Sequence, residues 1–324
     1  MRREVAAAAL AAAAASTGSL GGCAAWLPPP QTRALQAQPP AGLPARVERD
    51  AVPFFPQTPY HCGPAALATV LTDAGLPTQP EALANAVFLP AREGSLQTEM
   101  LAGARRHGAV AYPLPGTLEA LLGEVAAGHA VVVLQNLGLE FVPRWHYAVL
   151  VGYDLGRHEV VLRSGTTRRE TMSLSTFEYT WARGGHWAFV ALPPGRLPAR
   201  VGEAAAVQAT IGFERVAPPL SAAQAYEALL VRFPGNLLAG LGLGNVQLAA
   251  GELEFAASTF AQVAQQHDSA VAWNNLALTQ SRRGRHAAAI EAARRAVARA
   301  EAAEPQWTDA ARATLREVQA AARP

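Results

Sequence analysis

Apolar residues recur with two different periods along the chain, and the change of period separates a mixed region from a helical one. In the first region, short apolar runs alternate with amphipathic stretches. Their spacing predicts helices over residues 65–74 and 117–127 and strands over 130–135, 147–153, 159–162 and 187–192. After residue 219 only helical spacing remains. The pattern therefore predicts an α+β domain followed by an all-α domain.

The first residues show the order of features that marks an export signal. Two arginines precede the apolar run Val5–Ala15, and Leu20-Gly21-Gly22-Cys23 follows it. This order predicts a lipoprotein signal peptide over residues 1–22 and a lipid on Cys23. The apolar run is too short to cross a bilayer. An ordinary signal peptide, cut at another position, is the alternative.

Residues 23–48 are rich in Pro, Ala and Gln and show no hydrophobic period. This composition predicts a flexible tether between the lipid and the folded part of the chain. We therefore expect a lipid-anchored protein of a bacterial cell envelope that faces the periplasm. Ala24 stands where enteric inner-membrane lipoproteins carry Asp, so the outer membrane is favoured by analogy.

Composition narrows the classes of partner. All 27 basic residues are Arg, they are scattered, and the formal net charge is +2. No basic stripe is present, so we expect no nucleic-acid partner. The histidines and cysteines lack metal-ligand spacing, and no glycine-rich phosphate loop joins a strand to a helix. We expect neither a metal nor another cofactor.

Cys62 is the only cysteine besides Cys23. Exported proteins normally pair their cysteines, so a thiol left without a partner is a candidate nucleophile, and a buried inert cysteine is the alternative. Cys62 and Pro64 open the helix predicted over 65–74, and Pro suits a first helical turn. Because a helix N-terminus stabilises a thiolate, we expect the pKa of the Cys62 thiol to be lowered.

Two sequence motifs lie at a domain-sized separation in the mixed region. They are Gln57–Leu67, which contains Cys62, and Trp145–Asp154, which contains a histidine at its second position. A Cys on a helix, followed by a His on an antiparallel sheet, is the plan of papain-like folds. The two motifs resemble those of bacteriocin-processing (double-glycine-leader) peptidases, over about Asp50–Pro194. The resemblance implies a papain-like cysteine peptidase domain that acts on a peptide or protein.

The resemblance also implies a role for each matched residue. Cys62 attacks the scissile carbonyl, while His146 holds its proton and later protonates the leaving amine. Gln57 donates its side-chain amide to the oxyanion, together with the backbone N–H of Cys62. For Gln57, a polar loop residue without a catalytic role is the alternative.

The chain departs from that family at the position that orients the imidazole. The family has Asp or Asn there, whereas this chain reads Leu162-Arg163-Ser164-Gly165, so Ser164 fills the position. Ser164 or Thr166 can accept a hydrogen bond from the ring without supplying a charge. Asp154 lies too far along the strand from His146 and is expected in a turn. The departure implies a slow peptidase or a catalytically silent descendant.

The helical region repeats itself. Gly251 and Gly284 are 33 residues apart, close to the tetratricopeptide period of about 34. Small residues recur at equivalent positions, such as Gly244 and Ala277, and let paired helices approach. The pattern predicts two tetratricopeptide repeats after a half-repeat, with a capping helix over 307–322, and an unrelated helical bundle is the alternative. Such stacks bind peptides or proteins, so we expect a protein partner there.

Domain boundaries follow from these patterns. We expect a signal peptide (1–22), a tether (23–48), a papain-like cysteine peptidase domain (49–197), a linker (198–219) and a tetratricopeptide-repeat domain (220–324). The expected function is that of a membrane-anchored periplasmic cysteine peptidase. One alternative is a weak or inactive peptidase-like lipoprotein that assembles an envelope complex through its repeats. Another is a thiol enzyme that transfers acyl or amide groups.

Overall fold

The computed structural model describes residues 27–57 and 60–323, so the predicted signal peptide and Cys23 lie outside the described residues. The strands are β1 Arg46–Glu48, β2 Val110–Pro113, β3 Val131–Asn136, β4 Trp145–Asp154, β5 Glu159–Ser164, β6 Thr167–Ser173 and β7 Ala188–Leu192. The helices of the first half are α1 Pro30–Ala37, α2 Cys62–Asp73, α3 Pro80–Val87, α4 Gln97–Arg106, α5 Leu118–Ala126 and α6 Leu174–Arg183. The later helices are α7 Glu203–Glu214, α8 Pro219–Arg232, α9 Leu237–Ala249, α10 Leu253–His267, α11 Ala270–Arg282, α12 His286–Ala303 and α13 Thr308–Ala321.

The strands form one antiparallel sheet in the order β2-β7-β3-β4-β5-β6, and β1 pairs with the last residues of β4. Val132 and Val149 point to the face covered by α2, α3 and α4, where Leu67 packs. Val131 and Leu150 point to the opposite face, where α5 and α6 pack. The predicted α+β class, with a Cys-bearing helix and an antiparallel sheet before an all-helical region, is confirmed.

The flexible tether predicted over residues 23–48 needs correction in its described part. Residues 30–37 form α1, and the buried carboxylate of Glu178 accepts hydrogen bonds from the backbone N–H groups of Gln31 (2.9 Å) and Thr32 (2.5 Å) at its start. Residues 46–48 form β1 on the sheet. These hydrogen-bond partners lie more than a hundred residues away, so composition alone did not reveal them.

The linker predicted over residues 198–219 also contains structure. Its helix α7 packs on the sheet, and Phe213 is fully buried in a core shared with α5 and α6. The buried carboxylate of Glu124 accepts hydrogen bonds from the backbone N–H groups of Ala199 (3.1 Å) and Arg200 (2.7 Å). The same core continues through Tyr226 of α8. The connection is therefore part of the packed structure rather than a free linker.

From α8 to α13, each helix packs against its neighbours in the chain, as in a helical repeat. Gly242 and Gly244 lie in α9, where an added Cβ would collide with Tyr226 of α8 and Phe260 of α10 respectively. These glycines serve close helix packing, and the tetratricopeptide assignment stays a prediction. Within the described part of the chain, no helix is both long and apolar enough to cross a membrane.

Candidate active site

Cys62 is the first residue of α2 and is partly buried. The ring of His61, at the N-cap, stacks on Phe88 with ring centroids 4.7 Å apart. A Cβ at Gly63 would collide with the side chain of Ser95, so only glycine lets the segment that contains Ser95 pack against the start of α2. The Cys-Gly-Pro sequence therefore places the thiol at a tightly packed helix start.

The thiol of Cys62 faces the first residues of β4, which are not paired with β5. Leu134 of β3 lies opposite Tyr147 and donates its N–H to Trp187 on the other side of β3 (3.1 Å). In an antiparallel pair of this kind, the backbone groups of the opposite residue also point away from the partner strand. The backbone N–H and C=O of Tyr147 therefore face the β5 side, where pairing with β5 starts only at Val149.

The side chains of Cys62 and Gln57 both lie at the backbone of Tyr147. The backbone N–H groups of Tyr147, Gly63 and Cys62 itself are near enough to the Cys62 sulfur to lower the pKa of its thiol. The amide Nε2 of Gln57 donates to the carbonyl oxygen of Tyr147 (3.3 Å), and the backbone N–H of Gln57 donates to Gly165 (3.0 Å). The structure thus brings Gln57 and Cys62 to the backbone of Tyr147, the residue that follows His146.

His146 is half-buried, and its ring nitrogen Nε2 is 2.9 Å from Oγ of Ser164, at hydrogen-bond distance. Ser164 therefore stands in the orienting position, whereas Thr166 is exposed. Oδ1 of Asp154 accepts a hydrogen bond from the backbone N–H of Arg157 (3.0 Å), which confirms the prediction that Asp154 serves a turn.

The prediction of a lowered Cys62 pKa is wrong. Burial raises the pKa of the Cys62 thiol, because desolvation of the thiolate outweighs the stabilising effect of the nearby backbone N–H groups. Burial also lowers the pKa of His146, which Glu170 partly offsets and Arg144 reinforces. Both shifts favour the uncharged forms, so a neutral thiol and a neutral imidazole are the resting state near neutral pH.

Sequence reasoning missed the residues that position this site. Arg163 is buried in β5 and donates to the backbone carbonyls of Val52 (3.2 Å), Asp50 (3.0 Å) and Arg168 (2.7 Å). It thereby fixes the segment that leads to Gln57 against the turn after Ser164. A charged residue inside an apolar strand was the available signal. The backbone of Tyr147 and the charge of Glu170 gave no such signal.

Two histidines outside the candidate site, His129 and His107, have polar partners of their own. His129 is buried and its Nδ1 is 2.7 Å from a carboxylate oxygen of Glu124, the residue that holds the connection to α7. Nδ1 of His107 lies 2.9 Å from the carbonyl oxygen of Gly103. Among the residues that the structure describes, no cluster of three or more His, Cys, Asp or Glu side chains is arranged to hold a metal ion.

Comparison with known families points to the same part of the chain. Residues 49–188 match the model of the Peptidase_C39 like family. The matched segment contains Gln57, Cys62, His146 and Ser164. The first domain therefore has the C39-like peptidase fold, and the match suggests a cysteine peptidase.

Solved structures with similar chains were also found. A C39-like peptidase from Bacillus anthracis is 21% identical, over 45% of this chain and 97% of its own, with a TM-score of 0.39. The peptidase domain of Streptococcus ComA, a bi-functional ABC transporter involved in a quorum sensing pathway, is 17% identical, over 44% of this chain and 98% of its own, with a TM-score of 0.36. MamA is 16% identical, over 37% of this chain and 78% of its own, with a TM-score of 0.29. No curated protein matches the chain.

Proposed function

We propose that this protein is a membrane-anchored periplasmic cysteine peptidase that hydrolyses peptide bonds of a peptide or protein substrate. One observation carries the proposal: the thiol of Cys62 lies near the backbone N–H of Tyr147, and Gln57 donates to the carbonyl oxygen of the same residue, which directly follows His146. The thiol and the amide donor thus meet at the backbone of one residue, and the imidazole belongs to the residue before it. Acyl transfer to sulfur needs these three groups.

In the proposed reaction, the Cys62 sulfur bonds to the scissile carbonyl carbon while its proton passes to Nδ1 of His146. Nε2 keeps its hydrogen bond to Ser164, which holds the ring in the required tautomer. The developing oxyanion accepts hydrogen bonds from the Cys62 N–H and from the second N–H of the Gln57 amide. Collapse breaks the C–N bond as the imidazolium protonates the amine, and water then hydrolyses the thioester.

The charge states of Cys62 and His146 favour slow peptide hydrolysis. Because the resting thiol and imidazole are both neutral, the proton must move during the attack itself. Ser164 supplies no negative charge to stabilise the imidazolium, unlike the Asp of the resembled family. The same observation favours the second candidate function, a lipoprotein that binds a peptide in the cleft without hydrolysing it.

Reactivity of the thiol separates these two functions. Purified protein is treated with iodoacetamide at neutral pH, and modification of Cys62 is followed by mass spectrometry alongside hydrolysis of fluorogenic peptides. We expect His146→Ala to reduce both labelling and hydrolysis, and His267→Ala, far along the helical region, to change neither. Equal and slow labelling of wild type and His146→Ala, without hydrolysis, would support the binding protein.

The proposed location rests on the lipid at Cys23, in a bacterial envelope membrane, the outer one by preference. Mass spectrometry of the N-terminal peptide from a membrane fraction tests it. We expect a chain that begins at Cys23 with a lipid on its sulfur, and an unmodified N-terminus at another residue contradicts the anchor. The helical region is proposed to hold a protein partner, and pull-down with the full chain tests that part separately.

A further inference from the structure

The segment between β3 and β4 presents apolar side chains to solvent. Leu139 is 58% exposed, Phe141 81%, Val142 59% and Trp145 57%. Folded proteins rarely expose such side chains together unless the surface binds something. We refer to residues 137–142, with Trp145, as the apolar loop.

The apolar loop has a defined shape. The side-chain oxygen of Asn136 accepts hydrogen bonds from the backbone N–H groups of Gly138 (2.9 Å) and Arg144 (2.8 Å). A backbone bridge joins Leu139 to Val142, with an N–H to carbonyl distance of 3.2 Å. These hydrogen bonds fix the course of the loop, and its apolar side chains are exposed.

The base of the apolar loop lies close to the first described residue. Nη2 of Arg183 donates to the carbonyl of Asn136 (3.0 Å), and the hydroxyl of Tyr179 donates to the carbonyl of Leu27 (3.2 Å). Tyr179 and Arg183 are four residues apart on α6, a rise of about 6 Å. Leu27 and the loop base therefore both contact the second half of α6, and Leu27 is itself exposed.

Chain length alone limits how far Cys23 can lie from Leu27. Cys23 precedes Leu27 by four residues, which span at most about 14 Å whatever their conformation. A lipid on Cys23 therefore keeps the bilayer within about 14 Å of Leu27, on the side of the molecule where α6 also contacts the base of the apolar loop. Trp and Tyr side chains favour the interface between membrane and water. Arg144 and Arg183 add positive charge next to the loop, whereas Glu140 within it opposes them.

We propose that the apolar loop inserts into the surface of the bilayer that carries the Cys23 lipid. The proposal rests on the lipid anchor of the proposed function. Since Trp145 directly precedes His146, the catalytic cleft then opens at the membrane surface. The substrate class is accordingly a polypeptide segment that lies at the bilayer surface.

Vesicle binding by the protein without its lipid tests the loop directly. The chain from Ala24 keeps every described residue and is floated with vesicles of phosphatidylethanolamine and phosphatidylglycerol. We expect the Phe141→Asp/Val142→Asp variant to lose binding by roughly tenfold or more, the effect of moving one large apolar side chain out of water. Phe255→Asp, on an exposed phenylalanine of α10, is the control and should bind like wild type.

A second measurement locates the contact. Brominated phospholipids quench tryptophan fluorescence, and we expect Trp145→Phe to remove most of the quenched emission. Wild type that fails to bind vesicles, or loop and control variants that bind alike, would overturn the proposal. So would a loop variant that binds vesicles normally but loses peptide cleavage, since the loop would then contact a peptide. Neither measurement depends on Cys62 chemistry, so failure here leaves the peptidase proposal standing.

Discussion

The two halves of the chain build their cores from different side chains. The sheet of the C39-like domain is packed with Val, Leu, Phe and Trp on both faces. The core of α10 to α13 consists mostly of alanines, around a few large residues such as Phe260. The alanines let helices α10 to α13 approach closely, whereas large side chains fill the space on both faces of the sheet.

The two halves also differ in how far apart their contacts lie along the chain. Gln57 and Tyr147 are 90 residues apart, and Arg163 and Val52 are 111 apart. The C-terminal helices pack against their neighbours in sequence. We therefore expect substitutions at the candidate site to change reactivity without unfolding the protein, and substitutions in the C-terminal core to lower stability without changing that reactivity.

Cys62→Ser should have the largest effect. We expect peptide hydrolysis to fall by on the order of 10⁴-fold or more, because the nucleophile acts as a unit with its base. The hydroxyl replaces the thiol with little change in volume, so the thermal unfolding midpoint should stay near that of wild type. Residual hydrolysis within tenfold of wild type would mean that Cys62 is not the nucleophile.

Phe260→Ala tests the helical half. Removal of this fully buried ring, which packs on Gly244, should lower the free energy of unfolding by about 3–5 kcal/mol. Urea denaturation followed by circular dichroism measures it, and Phe255→Ala, exposed on the same helix, should change it little. Peptide hydrolysis by the folded protein should be unchanged, and a matching loss of turnover would erase the contrast between the halves.

Gln57→Ala tests the oxyanion donor. We expect kcat to fall by about 10²–10³-fold with a small change in KM, because the amide acts on the charge that forms in the transition state. Gln38→Ala, an exposed glutamine, is the control. An increase in KM alone would place Gln57 in substrate binding instead.

Alkylation of Cys62 should depend steeply on pH. Because burial raises the pKa of the thiol, thiolate is scarce at neutral pH and increases as the pH rises towards that pKa. We expect the iodoacetamide rate to rise about tenfold per pH unit from about pH 6 to 8. A rate that is flat over this range would show a thiolate–imidazolium pair already formed in acid.

Glu170→Gln should have the smallest effect of these changes, and it tests the direction in which the pKa of His146 moves. Glu170 raises the pKa of His146 and Arg144 lowers it. We therefore expect Glu170→Gln to lower this pKa slightly, and Arg144→Gln to raise it. Imidazole resonances followed by NMR through a pH titration measure both, and shifts of the same direction in the two variants would exclude this electrostatic origin.

Local pattern was sufficient for several elements. The helix after Cys62, the strands β3, β4, β5 and β7 and the succession of C-terminal helices follow from apolar period and turn residues. The motifs also identified Gln57, His146 and Ser164 as candidate residues. These features depend on neighbours a few positions away, which a single sequence displays directly.

Only the tertiary structure decided the rest. The segments expected as tether and linker became α1, β1 and α7 because buried carboxylates, an open strand and an apolar face far along the chain pair with them. The pKa of Cys62 rises because burial, which helix position does not reveal, outweighs the N–H groups around the sulfur. Periodicity records which face of an element is apolar, whereas desolvation and hydrogen bonding depend on what that face finally meets.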